Sequence, residues 1–397
     1  MTTPALTGRT KLLYAAIIAA VTIALLEGFS WVALALIAPR LDEPVRRTSD
    51  IFREQTDLIG QWWHADPATL FVEFDSALGW RQRPGYRNAL YTVSPQGLRG
   101  SREYGPVPAP GVLRVDAFGD SFVFGSEVGD TAAWPAIIER DFPGIEVPNY
   151  GVGGYGLDQT FLDLAEHVRD LHPQVVIVGF VPDDLRRALN VYRRFLSTRE
   201  PPLVKPRFLV GASGSLTLVP TPLRGEGDYL NILDHPRDVL PLGKLDDWYT
   251  PLIYRDPLYD YSATVRLLTT VWIRGSRRYL GADRLYIHGY ANPLSEAFRL
   301  QVALFEHAAD SIHAVGARPL LVFFPDLEQL GRILAGQRPS YQPLLDTLRA
   351  HGLDPHDAAA AFAGAPAAEL NRWFMTAHYS PAGNRLVARW LEGILRG

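Results

Sequence analysis

The sequence predicts an α/β fold in which a parallel sheet carries helices on both faces, preceded by one membrane-crossing helix. Three observations carry this expectation. From about residue 69 onward, short apolar runs alternate with amphipathic segments, the pattern of strand–helix units. The runs 174–180 and 319–324 are apolar without alternation, as a strand buried on both faces requires. Residues 12–38 are almost wholly apolar. As a helix they would reach roughly 40 Å at ~1.5 Å per residue, enough to cross a bilayer with tilt.

The elements follow in order. Arg9 and Lys11 precede the apolar stretch, and Arg40, Arg46 and Arg47 follow it with Asp42 and Glu43 between them. The basic residues are similar in number on the two sides, so charge alone does not orient the span. Glu27 lies inside it; a carboxyl there is costly and calls for a neutral form, a shallow position or a partner helix. A cleaved signal peptide with Ala33-Leu34-Ala35 at its end is the rival reading, and the length of the stretch favours an uncleaved anchor. Residues 39–68 form a connector whose Ile51, Phe52, Leu58, Ile59, Trp62 and Trp63 either rest at the lipid interface or pack on the globular part. Residues 113–118 read as a strand. A helix is expected at 130–141, with Asp130 as cap and Trp134, Ile137 and Ile138 inward. A short strand follows at 145–148. Leu157, Phe161, Leu164, Ala165, Val168 and Leu171 mark an amphipathic helix over 157–171. Residues 295–315 form a long helix. Ser380 and Pro381 open a last one, serine at the cap and proline in the first turn. Residues 190–290, rich in Pro, Gly and aromatics, interrupt the alternation as an insertion or lid.

Composition removes several chemistries. The net charge is −4, with no basic excess to suggest a nucleic-acid partner. There is no cysteine, hence no disulfide, cysteine zinc site, iron–sulfur cluster or thiol nucleophile. A nucleophile must be Ser, Thr, Lys or a carboxylate, and ten histidines are available as bases.

Parallel α/β sheets place their sites at the carboxyl ends of strands, and polar text stands there. Gly119-Asp120-Ser121 follows the 113–118 strand, placing a serine at the functional edge with Asp120 ordering the turn. Asn149 to Gly156 carries Gly151, Gly153, Gly154 and Gly156, which permit close backbone approach and can aim N–H groups at an anion. Pro182-Asp183-Asp184 closes the 174–180 strand. His378 lies just before the last helix; His288 is the other candidate base.

In this order and spacing the four blocks resemble the SGNH (GDSL-type) hydrolase superfamily over about residue 69 to the C-terminus. Leu78-Gly79-Trp80 and Gly97-Leu98-Arg99-Gly100 are similar to segments ahead of the serine block in membrane-anchored bacterial members. The resemblance implies a flavodoxin-like three-layer α/β/α fold. It implies Ser121 as nucleophile, His378 as general base, and the N–H groups of Ser121 and Gly154 as oxyanion-hole donors. Two positions depart from the family pattern. Asp183 stands where the family has an asparagine oxyanion donor, and an ionised carboxylate accepts hydrogen bonds without donating. Thr376 stands where an acid orients the histidine. A Ser–His dyad steadied by a backbone carbonyl, or an acid from elsewhere such as Asp354 or Asp357, then completes the site.

The expected activity is that of a serine esterase acting on ester or acetyl groups. The substrate is a carbohydrate or lipid, and neither cofactor nor metal is needed. The expected location is a bacterial inner membrane crossed once, with residues 1–11 cytoplasmic and the catalytic part periplasmic or extracellular. An O-acyltransferase modifying a cell-envelope polysaccharide beside a multi-span membrane acyltransferase, and a non-catalytic binding or assembly protein, are the alternatives.

Overall fold

A computed structural model describes residues 7–41, 45–63, 69–279 and 285–397. Asp42, Glu43 and the first six residues of the expected cytoplasmic tail lie outside the described residues. Helix α1 (Gly8–Ile37) is long and apolar enough to cross a membrane. Helix α2 (Thr48–Trp63) follows, then a hairpin of β1 (Val72–Asp75) and β2 (Gly79–Gln82).

The central sheet has five parallel strands: β3 (Leu113–Phe118), β4 (Ile145–Glu146), β5 (Val175–Phe180), β6 (Arg318–Phe323) and β7 (Pro355–Asp357). Their spatial order is β7-β6-β5-β3-β4, so the direction of winding reverses beside β3. Side chains alternate between the two faces. Val115, Ala117, Ile177 and Val322 pack with Trp134, Ile137 and Ile138 of α4 (Trp134–Asp141) and with the last helix. Phe118, Val176, Val178 and Phe323 pack with α5 (Leu157–His167) and with the helix after the insertion. Helices thus cover both faces, as the unbroken apolar runs imply.

The element limits differ from expectation mainly at their ends. The helix expected from residue 130 begins as a 3-10 turn at Asp130–Ala132 before α4, and α5 ends at His167 rather than at 171. The connector question has one answer for α2. Ile51, Phe52, Ile59 and Trp63 are buried, and Trp63 stacks on Tyr229 with ring centroids 4.3 Å apart. These apolar side chains belong to a third core shared with the insertion, not to the lipid interface. Part of the insertion thus packs on α2, and among its described residues are several short helices and one of 17 residues, Ala263–Tyr279.

One core position carries a charge question. Asp116 on β3 is fully buried and neither carboxylate oxygen has a hydrogen-bond partner. Burial, opposed by Arg114, pushes its pKa up to about 8. The folded protein keeps the proton to about pH 8, whereas the unfolded chain releases it near the ordinary 3.8. The ionisation-linked cost of Asp116 is therefore absent below that lower value, and stability falls as pH rises from there through 8. Asp116→Asn, neutral at every pH, is expected to match the wild type at pH 4 and to melt several degrees higher at pH 9, at ~2–4 °C per kcal/mol for a large domain. Thermal melts across pH check this.

Candidate active site

Ser121 sits at the carboxyl end of β3, beside the point where the sheet reverses its winding and where such sheets bind ligands. It opens a single helical turn, α3 (Ser121–Phe124), capped by Asp120, whose Oδ1 accepts the Phe122 N–H at 2.8 Å. The turn is pressed onto the sheet because its neighbours lack side chains. A Cβ at Gly119 or at Gly179 would stand 2.4 Å from Val123 Cγ2, and one at Gly151 would stand 2.3 Å from the Phe124 nitrogen. The glycine-rich loop after β4 is tied to the same turn. The Val152 N–H donates to Gly119 O at 3.0 Å, and Asn149 Nδ2 donates to Val123 O at 2.9 Å. Gly154 on that loop has φ +83, which favours glycine. Among the described residues, neither the Ser121 nor the Gly154 N–H donates to another protein group.

His378 comes from the other end of the chain. A short bridge between Phe374 and Tyr379 closes the turn that carries it. Ser380 then caps α6 (Pro381–Arg396), accepting from the N–H groups of Ala382 and Gly383. Asn384 fastens that helix to α4 by accepting the Trp134 N–H at 3.0 Å. The result is a 2.8 Å hydrogen bond between His378 Nε2 and Ser121 Oγ.

The acid beside His378 was not singled out from the sequence. Glu127 Oε1 lies 3.4 Å from His378 Nδ1. Its Oε2 accepts the N–H groups of Thr376 (2.9 Å), Ala377 (3.1 Å) and His378 (3.4 Å), a backbone nest for an anion. Partial burial pushes the carboxyl up; the N–H groups of Ala377 and His378 and the imidazole outweigh it, holding Glu127 below its ordinary range. Glu127 has φ +69, a left-handed conformation that costs a non-glycine residue roughly 1–3 kcal/mol. Its own N–H, bonded to Tyr91 Oη at 2.9 Å, helps hold it there. Asp354, Asp357 and Thr376 do not take this position. Asp354 is exposed and pairs with His356. Asp357 accepts the Tyr341 hydroxyl at 3.1 Å and caps Ala359. The Thr376 side chain is exposed and the residue contributes only its N–H. His288 lies in the turn of a separate hairpin.

The third block holds a buried cation that the sequence did not reveal. Arg187 Nη1 donates to Asp120 Oδ2 at 3.0 Å, to Tyr155 O at 2.9 Å and to Asp184 Oδ1 at 3.4 Å. Asp120 Oδ2 is itself 3.4 Å from Ser121 Oγ, so the guanidinium stands within two hydrogen-bond lengths of that oxygen. Burial opposes its charge, but Asp183, Asp120 and Asp184 together raise the Arg187 pKa and keep it cationic. Asp183 is half exposed and turned towards Arg186 (3.7 Å) and Arg187 (3.8 Å). Its neighbour Asp184 is fully buried. Burial raises its pKa well above the ordinary value, against the pull of Arg187, and Asp120 adds to the rise.

With this geometry in place, the chain can be set beside known proteins. It is similar to a protein of Desulfitobacterium hafniense DCB-2 assigned to the G-D-S-L lipolytic family. That solved structure shares 13% identity over 71% of this chain and 99% of its own, with a TM-score of 0.33. A second solved structure shares 14% identity over 72% of this chain and 97% of its own, with a TM-score of 0.34. No family model matches the chain, and no curated protein matches it.

Proposed function

We propose that this chain is an SGNH-type serine esterase held to a membrane by α1, with Ser121 as nucleophile, His378 as base and Glu127 as the acid that orients it. The observation that carries the reading is the continuous line from Ser121 Oγ to His378 Nε2 at 2.8 Å and from Nδ1 to Glu127 at 3.4 Å. A serine hydroxyl becomes a useful nucleophile only beside a base whose other nitrogen is held by a third group. The strand order, 2-1-3-4-5 counted along the chain, is that of flavodoxin-like sheets and supports the fold that the motifs imply.

In this mechanism Ser121 Oγ attacks the acyl carbonyl while His378 Nε2 takes its proton. The imidazolium that forms is stabilised through Nδ1 by Glu127. The charge developing on the carbonyl oxygen is met by the N–H groups of Ser121 and Gly154. His378 returns the proton to the leaving alcohol, giving an acyl-enzyme; it then takes a proton from the attacking water and passes it to Ser121 Oγ as the Oγ–acyl bond breaks and the acid leaves. A sugar hydroxyl in place of that water makes the same residues an O-acyltransferase, and product analysis with a polysaccharide acceptor separates the two outcomes. The 2.8 Å Ser121–His378 hydrogen bond, with Glu127 Oε1 3.4 Å from Nδ1, weighs against a purely binding role.

The test is turnover of an aryl acetate by the full chain in detergent. Saturable hydrolysis supports the reading; none above background counts against it. Asp183 has its own test there. Its side chain faces the two arginines, so Asp183→Asn is expected to change kcat by less than about 10-fold. A gain of roughly 10²–10³, the worth of an oxyanion donor, would instead put that side chain at the reacting oxygen.

A further inference from the structure

Glu27 has a partner inside the chain. Its carboxylate accepts the Ser262 hydroxyl and the N–H groups of Ala263 (2.7 Å) and Thr264 (3.4 Å). These open a helix of the insertion, Ala263–Tyr279. Thr264 Oγ1 also meets Ser30 Oγ at 3.1 Å. The anion of α1 thus satisfies free N–H groups at a helix start. Two further contacts fasten the neighbouring segment where the chain leaves α1. Thr48 Oγ1 donates to Ile253 O, and the Ser49 N–H donates to Asp260 Oδ1 at 3.2 Å.

On the Ala263–Tyr279 helix, Thr264, Leu268, Val271 and Trp272 share a face, at the i, i+4, i+7, i+8 spacing. The face is met by α1 at Thr264 and then runs on uncovered: Leu268 is 62% exposed, Val271 59% and Trp272 59%. The opposite face is held by the protein, with Arg266 Nη1 buried on Tyr259 O and Asp260 O. Leu258 and Tyr261, just before the helix, are exposed as well. On α1, Ile23 and Trp31, one turn before and one turn after Glu27 and so on the same side of the helix, are exposed and apolar as well. Large apolar side chains grouped in this way mark a docking surface. A helix with a polar face on protein and Leu, Val and Trp outward suits the bilayer interface.

From this arrangement we infer that the Ala263–Tyr279 helix is a second membrane element, its Leu268–Val271–Trp272 face seated in the lipid interface alongside α1. The inference rests on the reading of α1 as a membrane anchor. The lipid surface is chosen as occupant because the face is continuous with α1 and begins at the α1 contact. Anchor and interfacial helix together would hold the globular part in one orientation over the bilayer, instead of tethering it loosely.

The absence of native cysteine makes the test direct. Single variants Leu268→Cys, Val271→Cys and Trp272→Cys of the full chain carry a nitroxide in phosphatidylcholine–phosphatidylglycerol vesicles. Val21→Cys on α1 and Val107→Cys on an exposed loop serve as references. The expected result is severalfold greater relaxation by oxygen than by a water-soluble nickel chelate at 268, 271 and 272, as at 21, with the reverse at 107. Nickel-accessible probes at 268, 271 and 272, with an oxygen-accessible probe at 21, overturn the interfacial helix and leave the anchor standing. Probes shielded from both agents also overturn it, because protein then covers the face. A nickel-accessible probe at 21 removes the anchor reading itself.

Discussion

Glu127→Gln is expected to lower kcat for an aryl acetate by roughly 10²–10⁴, the scale seen when the acid of a serine triad becomes an amide. The substitution keeps the size of the side chain and removes the charge that stabilises the His378 imidazolium. In the proposed mechanism the 3.4 Å contact to Nδ1 and the three N–H groups on Oε2 let Glu127 hold both the ring and the turn that carries it. Glu127→Asp is expected to fall in between, because a shorter side chain cannot reach the nest and the ring together. Asp354→Asn and Asp357→Asn are expected to leave kcat within about 3-fold, since neither contacts the imidazole. Steady-state kinetics with KM measured separately check this. A loss confined to kcat marks transition-state stabilisation, whereas a rise in KM alone would mark binding.

Ser121→Ala and His378→Ala carry the largest expected effect. Each alone should reduce kcat on the order of 10⁵–10⁶, and the double variant little further, because residues that act as one unit are not additive. The residual rate would come from the N–H donors and from substrate positioning. Ser121 packs against a crowded turn and its alanine variant loses only an oxygen, so thermal melting should stay near that of the wild type. Equal losses for the single and double variants would bind Ser121 and His378 into one machine; independent, additive losses would separate them.

The parts of the site legible in the sequence are those fixed by local chemistry. Ser121 follows the stretch 113–118, which reads as a strand, and His378 precedes a serine–proline helix start that needs no tertiary information. Glu127 was not legible because its role depends on contact across 251 positions with the His378 turn. Its local text, Gly125-Ser126-Glu127, reads as an ordinary turn. The readable signal was indirect: with Thr376 where an acid was expected, either a dyad held by a backbone carbonyl or a carboxylate from elsewhere had to complete the site. Asp354 and Asp357 are nearer in sequence but are committed to His356, Tyr341 and Ala359. Arg187 was hidden for a similar reason, since a helical arginine after two acids reads as surface pairing until burial is known. Glu27 shows the opposite case. Its cost inside an apolar stretch did call for a partner, but only the folded chain could name the start of the Ala263–Tyr279 helix.

The most direct test of the central claim is labelling by a fluorophosphonate probe, with the modified residue mapped by peptide mass spectrometry. The account predicts stoichiometric modification of Ser121 in the wild type, slowed strongly in His378→Ala and Glu127→Gln and absent in Ser121→Ala. A wild-type protein that stays unlabelled while folded, or that is labelled equally well after Ser121→Ala, would contradict it.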